Sequence, residues 1–183
     1  MSAILASPRL RLRPPCAGDL EPLYAVFSDP EALRWWSHPP WTERAQAQAY
    51  LDAIAAGWRD GSFRQWAIVE PADDVLLGTV TLWALDPRHA RCELGFMLRR
   101  DRWGRGLGTE AVAAALDHGF GALGLHRIEA DVDPGNAASL RLLERLGFVR
   151  EGRARERWAL SDGSGRADGV LLGLLAREWR RPA

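Results

Sequence analysis

A glycine-rich turn between an apolar segment and an amphipathic one is the feature that most constrains this chain. Residues 92–97 have the apolar pattern of a strand, and a helical pattern begins near Leu107. Gly104, Gly106 and Gly108 allow a tight turn between them and leave its amide N–H groups uncovered. Unpaired amides and the helix dipole both favour an anion at a helix start. Four arginines flank the turn: Arg99, Arg100, Arg102 and Arg105. The segment therefore predicts a phosphate or pyrophosphate site.

The composition limits the class of protein. A chain of 183 residues, 47% of them hydrophobic, is expected to form a single domain over residues 1–183 with its own core. The formal net charge is zero, so no overall field attracts nucleic acid or an anionic membrane. Cys16 and Cys92 lie too far apart for a disulfide framework or a zinc site, and we expect no metal. The lack of a signal-like or membrane-length apolar segment predicts a cytoplasmic protein.

The hydrophobic patterns predict a mixed α/β fold with seven strands and four helices. The strand-like segments are 10–13, 66–69, 75–85, 92–98, 127–132, 148–160 and 169–176. Two helical patterns follow the first of these segments, and single ones follow the fourth and the fifth. This order indicates a mixed sheet, since a parallel fold would alternate strands and helices regularly.

Two kinds of phosphate ligand fit the glycine turn. Residues 106–111 match the G-x-G-x-x-A dinucleotide fingerprint, and Asp131 or Asp133 offers a carboxylate for the ribose. That interpretation needs several further strand–helix units, whereas only one helix and a hairpin remain. A Walker-type lysine is also excluded, because all 24 basic residues are arginine. The other ligand is the pyrophosphate of coenzyme A.

Residues 103–108, Trp-Gly-Arg-Gly-Leu-Gly, resemble the main motif of the GNAT acetyltransferase superfamily, Q/R-x-x-G-x-G/A. Tryptophan stands where the general motif has glutamine or arginine. This change, with Thr-Glu-Ala at 109–111, is similar to the Rim-type branch (RimJ and RimL type), which acetylates ribosomal protein N-termini. Further resemblance lies at 8–14, 91–96, 127–136, 143–148 and 178–179. The resemblance therefore spans nearly the whole chain.

The resemblance implies both a fold and a co-substrate. The GNAT fold has a central, mostly antiparallel, twisted sheet of about seven strands, splayed between its central strands and flanked by about four helices. The co-substrate is acetyl-CoA. The resemblance implies that the pantetheine arm contacts the backbone of Met97 and Leu98 and the side chain of Asn136. It places Ser139 near the sulfur. The implied contacts around the pyrophosphate come from Trp103, Gly104, Arg105, Gly106, Gly108 and Thr109.

Acetyl transfer to an amine also needs a proton acceptor, and Glu93 is the leading candidate. Its neighbours Cys92 and Leu94 are apolar, so we expect partial desolvation and a raised pKa. The alternative is an ion pair with Arg91 or Arg127. A strong base is not essential, because a peptide α-amine titrates near ~8 and is partly neutral already.

The group that protonates the thiolate is less apparent. Many members of the superfamily place a tyrosine in the helix near 137–146. The corresponding residue here is Leu143, whose side chain cannot donate a proton. Ser139 is the nearest substitute as a catalytic residue, directly or through water. Asn136 has a second interpretation as well, because Asp-Pro-Gly-Asn is a turn and helix-cap signal without any ligand.

An aromatic loop supplies candidates for acceptor binding. Trp35, Trp36 and His38 stand in this loop, and the resemblance places that region at the acceptor cleft. Core packing is the alternative for its tryptophans. Only Glu31 and Glu43 are acidic between residues 31 and 44, which disfavours a polycationic acceptor.

The implied acceptor is the N-terminal amine of a protein. The alternatives are a small-molecule amine, such as an antibiotic, an amino acid or a polyamine, and a CoA-binding module without catalysis. The final strand pair leaves an open edge, which is a place for a homodimer to form.

Overall fold

The structure, a computed structural model, describes residues 4–160 and 162–181. Its strands are β1 (Leu5–Ala6), β2 (Arg11–Arg13), β3 (Arg64–Val69), β4 (Leu76–Asp86), β5 (Arg91–Leu98), β6 (Arg127–Val132), β7 (Val149–Ala159) and β8 (Arg166–Leu175). Its α-helices are α1 (Leu20–Phe27), α2 (Arg44–Asp60), α3 (Leu107–Asp117) and α4 (Ala137–Arg145). The eighth strand is β1, which the sequence did not predict because two residues have no periodicity.

All the strands belong to one sheet, in the order β1-β2-β3-β4-β5-β6-β8-β7. Neighbours are antiparallel except β5 and β6, which the crossover through α3 makes parallel. This arrangement confirms the predicted mixed, mostly antiparallel sheet. A single parallel pair is not the repeated strand–helix architecture that a dinucleotide fold requires.

The parallel pair is short, and the two strands separate soon after they meet. β5 pairs with β6 only from Arg91 to Glu93, opposite Arg127 to Glu129. On its other side β5 stays paired with β4 as far as Leu98. One edge of β5 is therefore free of β6 beyond Glu93, which is the splay that the resemblance implied.

Two apolar layers hold the sheet rigid around this splay. Alternate residues of β3 point to opposite faces, so Trp66 and Ile68 join one cluster and Ala67 and Val69 the other. The first cluster includes the buried residues of α3 and α4, and the second includes those of α1 together with Leu51 of α2. Because both faces are covered, the central strands are apolar on both sides. A one-residue shift in register would exchange the two faces of a strand, so the strands cannot close the gap in this way.

Candidate functional site

The glycine turn forms an open helix start. Gly104 and Gly106 have positive φ angles of 73° and 77°, which a side chain would make costly. Gly106 is the N-cap of α3, and no side chain caps this helix. The first-turn amides of α3 are thus available to an anion, as predicted.

A cavity of about 920 Å³ lies in front of this turn. It extends from the free end of β5 past the turn to the start of α4. Among its lining residues are most of the predicted cofactor contacts: Met97, Leu98, Trp103, Gly104, Gly106, Gly108, Thr109, Asn136 and Ser139. The fold therefore brings the strand end, the turn and the α4 start to a single elongated space.

The positive charge of this cavity differs from the prediction. The side chain of Arg105 is exposed and does not line the cavity, and its carbonyl accepts a hydrogen bond from Arg9 Nη1 at 3.0 Å. The arginines that do line it are Arg9, Arg102, Arg141, Arg145 and Arg181. Arg141 and Arg145 form no ion pair within the described ranges, so their charges are free for a ligand. Their spacing of four residues on a helix is a signal from which sequence reasoning could have found them.

Trp103 has a structural role that explains its place in the motif. Its indole Nε1 donates a hydrogen bond to the Leu98 carbonyl at 2.8 Å. This bond ties the turn to the end of β5, while the ring remains partly exposed and lines the cavity. The Leu98 carbonyl is thereby engaged, a contact that the predicted pantetheine pairing did not include.

A second cavity, of about 260 Å³, opens where β5 and β6 separate. Its lining includes four tryptophans (Trp35, Trp36, Trp83 and Trp158) and three carboxylates (Glu93, Asp131 and Asp133). Five of its lining residues also line the larger cavity: Trp35, Trp36, Phe96, Asn136 and Ser139. The two spaces therefore meet at the start of α4.

Glu93 lies in the smaller cavity and is half-buried. Its side chain has no hydrogen bond or ion pair in the described part of the chain. Arg91 and Arg127 bind Glu129 instead, so the ion pair considered as an alternative does not form. Burial raises the pKa of the Glu93 carboxyl, and the positive charge of Arg157 opposes this shift. The direction is the one that the sequence predicted.

The origin of that burial differs from the expectation. Cys92 and Leu94 belong to the core cluster on the other face of the sheet. The residue directly opposite Glu93 on β4 is Trp83. Burial also raises the pKa of the Cys92 thiol to about 12, which leaves it protonated and unreactive at neutral pH.

The α4 start holds the residues expected near the thioester. Asn136 Oδ1 accepts a hydrogen bond from the Ser139 amide at 3.1 Å, so Asn136 does cap α4. Its side-chain amide nitrogen makes no hydrogen bond among the described residues. Leu143 is fully buried and contributes only apolar surface. Ser139 lines both cavities, so its hydroxyl offers a proton where they meet.

Two of the three candidate acceptor-binding residues in the aromatic loop line the cavities. The Trp35 ring comes within 2.6 Å of where a Cβ on Gly135 would lie, so it packs over the turn that precedes α4. Trp36 lines both cavities and also packs against Phe27, with 5.8 Å between ring centroids. His38 lines neither cavity and stacks on Phe27 at 6.1 Å.

The acidic residues of the acceptor side come from other elements than expected. Neither Glu31 nor Glu43 lines a cavity, and the carboxylates come instead from β5, β6 and the turn after β6. The prediction that disfavoured a cationic acceptor therefore used the wrong residues. Sequence reasoning missed this group because its members are distant along the chain.

Two further properties bear on the class of protein. Among the residues described, no helix is long and apolar enough to cross a bilayer. The same residues include no group of three or more His, Cys, Asp and Glu side chains placed to hold a metal ion.

Comparison with known proteins agrees with the geometry. Residues 9–149 match the model of the Acetyltransferase (GNAT) domain family. N-acetyltransferase p20 of Bacillus licheniformis is 34% identical over 96% of this chain and 97% of that protein. YdaF of Bacillus subtilis (strain 168), provisionally named a ribosomal N-acetyltransferase, is 30% identical over 74% of each chain. The fold of spermidine N-acetyltransferase from Vibrio cholerae, solved with CoA and spermine, is similar, with a TM-score of 0.82 at 24% identity over 94% of this chain and 98% of that one.

Proposed function

This chain belongs to the GNAT acetyltransferase family and is an acetyl-transferring enzyme, and we propose that it acetylates the N-terminal amine of a protein. In this proposal the amine attacks acetyl-CoA directly within a ternary complex. The observation that carries it is the meeting of two cavities of different chemistry at the α4 start, beside the unpaired carboxylate of Glu93. The likeness to the Rim-type motif and the name of YdaF support the choice of acceptor.

The larger cavity suits acetyl-CoA. Its open helix start offers amides to the pyrophosphate, and Arg141 and Arg145 offer charge to the phosphates. The free edge of β5 offers backbone groups to the pantetheine arm, and Asn136 offers its amide nitrogen. The thioester would then lie near Ser139, at the junction with the smaller cavity.

The reaction follows from this placement. The amine nitrogen forms a bond to the thioester carbon, and the carbon–sulfur bond breaks. Glu93 takes the amine proton, directly or through water, and a proton from Ser139 or from water neutralises the thiolate. A carboxyl whose pKa is raised accepts a proton more readily at neutral pH, which suits Glu93 to this role.

A small cationic amine is the second candidate for the acceptor. The three carboxylates and four indoles of the smaller cavity are the groups that bind an ammonium ion well. Spermidine is the substrate named for one similar structure.

Thiol release from acetyl-CoA tests the proposal. Peptides with a free N-terminal serine or alanine are compared with the same peptides carrying a blocked N-terminus, with spermidine and with single amino acids. We expect release with the free peptides and an added acetyl group on the α-amine by mass spectrometry. Preferred turnover of spermidine would transfer the proposal to the second acceptor. Thermal stabilisation by acetyl-CoA without turnover of any amine would contradict catalysis.

Location and assembly belong to the same proposal. We place the enzyme in the cytoplasm, where its free cysteines Cys16 and Cys92 would stay reduced.

β7 is an edge strand of the sheet and is mostly exposed, so a homodimer through this edge is the assembly that we propose. Light scattering at micromolar concentration distinguishes the dimer from a monomer.

A further inference from the structure

The hairpin of β7 and β8 contains an irregularity next to the smaller cavity. Ala154 pairs with Gly169 and Trp158 pairs with Ala167, so three residues of β7 face only Asp168 of β8. Within this bulge Glu156 has a φ of 52°, a left-handed conformation that is strained for a residue with a side chain. Its amide donates to Asp168 Oδ1 at 2.8 Å, which holds the bulge in place.

The bulge directs Arg157 towards Asp131, two strands away. Arg157 Nε donates to Asp131 Oδ2 at 2.5 Å, and the Asp131 side chain is only 6% exposed. A Cβ on Gly169, on the intervening strand, would come within 2.1 Å of Asp131 Oδ1. The pair therefore requires a strained residue on β7 and a glycine on β8.

Glu93 shares a sheet face with Glu129 and Asp131, because Glu93 and Glu129 are paired and Asp131 stands two residues further along β6. The other two carboxylates have arginine partners: Arg91 and Arg127 bind Glu129, and Arg157 binds Asp131. Glu93 has none within the described ranges. Trp158, which follows Arg157 and packs against its guanidinium at 5.4 Å, lines the same cavity.

We infer that Arg157, held by Asp131, is a positioning residue of the acetyl-transfer site. It fixes the end of β7 so that Trp158 forms a wall of the acceptor cavity, and it directs a positive charge at Glu93. The inference rests on the proposed role of Glu93 in acetyl transfer. Arg157 itself lines neither cavity.

The charges around Glu93 give the sign of the effect. Arg91 faces it from its own strand, Glu129 and Asp131 from β6, and Arg157 from β7. Two further charged residues, Arg34 and Asp133, line the same cavity. Burial and the two β6 carboxylates raise the pKa of Glu93, and the arginines lower it. Loss of Arg157 therefore raises the pKa, so a larger fraction of Glu93 is protonated and inactive as a base.

Arg157→Gln is compared with Arg150→Gln in the full-length protein. Arg150 is a matched control, because it lies on the same strand and also binds a carboxylate, that of Glu144, but it takes no part in the bulge and is not among the charges that act on the Glu93 pKa. We expect Arg157→Gln to move the acidic limb of kcat/KM for the best acceptor upward by about half a pH unit, the size of an exposed charge pair. The KM for acetyl-CoA should not change, and Arg157→Lys should restore the limb.

Two further measurements keep the inference testable if Arg157→Gln folds poorly or turnover is absent. Gly169→Ala displaces the Asp131 carboxylate while both charges remain, and it should move the limb in the same direction. Titration of carbon-13-labelled glutamate, with the Glu93 signal identified from Glu93→Gln, reports the same shift without turnover. Identical titrations in Arg157→Gln and Arg150→Gln would overturn the inference. A wild-type protein that acetylates no amine would contradict the proposed function, and the titration would still decide whether Arg157 acts on Glu93.

Discussion

The two cavities that meet at the α4 start differ in how the chain builds them. The larger one depends on a continuous segment, the turn at 103–109, with arginines added from α4. The smaller one takes Trp83 from β4, Glu93 from β5, Asp131 from β6 and Trp158 from β7. The comparison teaches that the larger cavity depends on a local motif, whereas the smaller cavity is a product of tertiary structure.

The charges of the two cavities also differ, and each suits its ligand. Arginines line the larger cavity, where phosphates would bind, and carboxylates line the smaller one, where an amine would bind. A formal net charge of zero conceals this separation, because it sums all 24 basic and 24 acidic residues of the chain. Local charge therefore indicates more about the ligands than the overall composition does.

The largest expected effect tests the chemistry of the acceptor side. Glu93→Gln should lower kcat/KM by about 10²-fold at pH 6.5, because the variant cannot accept the amine proton. The difference should shrink towards pH 9, where an α-amine is neutral without help. Glu144→Gln is the control, since Glu144 lines neither cavity and is not among the charges that act on the Glu93 pKa. Parallel pH profiles of the wild type and Glu93→Gln would remove Glu93 as the base.

A smaller effect is expected from the donor side. Gly106→Ala forces a side chain into a left-handed conformation, at a cost of roughly 1–2 kcal/mol, and should raise the KM for acetyl-CoA about tenfold. Gly124→Ala imposes the same strain on another positive-φ glycine that lines neither cavity, so it should leave this KM unchanged. Equal KM values in the two variants would show that the turn does not bind the co-substrate.

A crossed pair of tryptophan substitutions tests whether the cavities are functionally separate. Trp83→Ala should raise the KM for the amine, and Trp103→Ala, which loses the bond to Leu98, should raise the KM for acetyl-CoA. Each change should be about fivefold, which corresponds to about 1 kcal/mol. Initial rates with each substrate varied in turn measure both constants. If either variant changed both constants equally, the cavities would act as one site.

The smallest effect concerns stability. A glutamate whose pKa is raised in the folded state destabilises the protein above its unfolded pKa and has no effect well below it. Glu93→Gln should therefore raise the Tm at pH 7 and leave it unchanged at pH 4. Solvent screening of this half-exposed group limits the effect to less than about 1 kcal/mol, or at most about 2–4 °C. Calorimetry at the two pH values measures it, and a lower Tm at pH 7 would contradict the burial of this charge.

Much of the fold could be predicted, because hydrophobic period and glycine positions act locally. Seven strands and all four helices lie close to their predicted places, and the missed strand, Leu5–Ala6, is too short to have a pattern. The turn at 103–109, with its uncapped helix start, was predictable for the same reason. Arg105 shows the limit of this reasoning, since nearness in sequence to the turn did not place its side chain at the cavity.

The sequence by itself determined that the turn can hold a phosphate or pyrophosphate, because glycine-spaced amides at a helix start are geometry that a few neighbouring residues specify alone. The resemblance to the GNAT motif is what implied acetyl-CoA. It also determined that Glu93 would be a carboxylate in a largely apolar strand. Only the tertiary structure decided that Glu93 has no ion-pair partner among the described residues, that Arg157 and Asp131 face it, and that four tryptophans line the space beside it. Those facts depend on where β5 and β6 separate and on a bulge in β7. Both are consequences of strand pairing between distant segments, which no local pattern encodes.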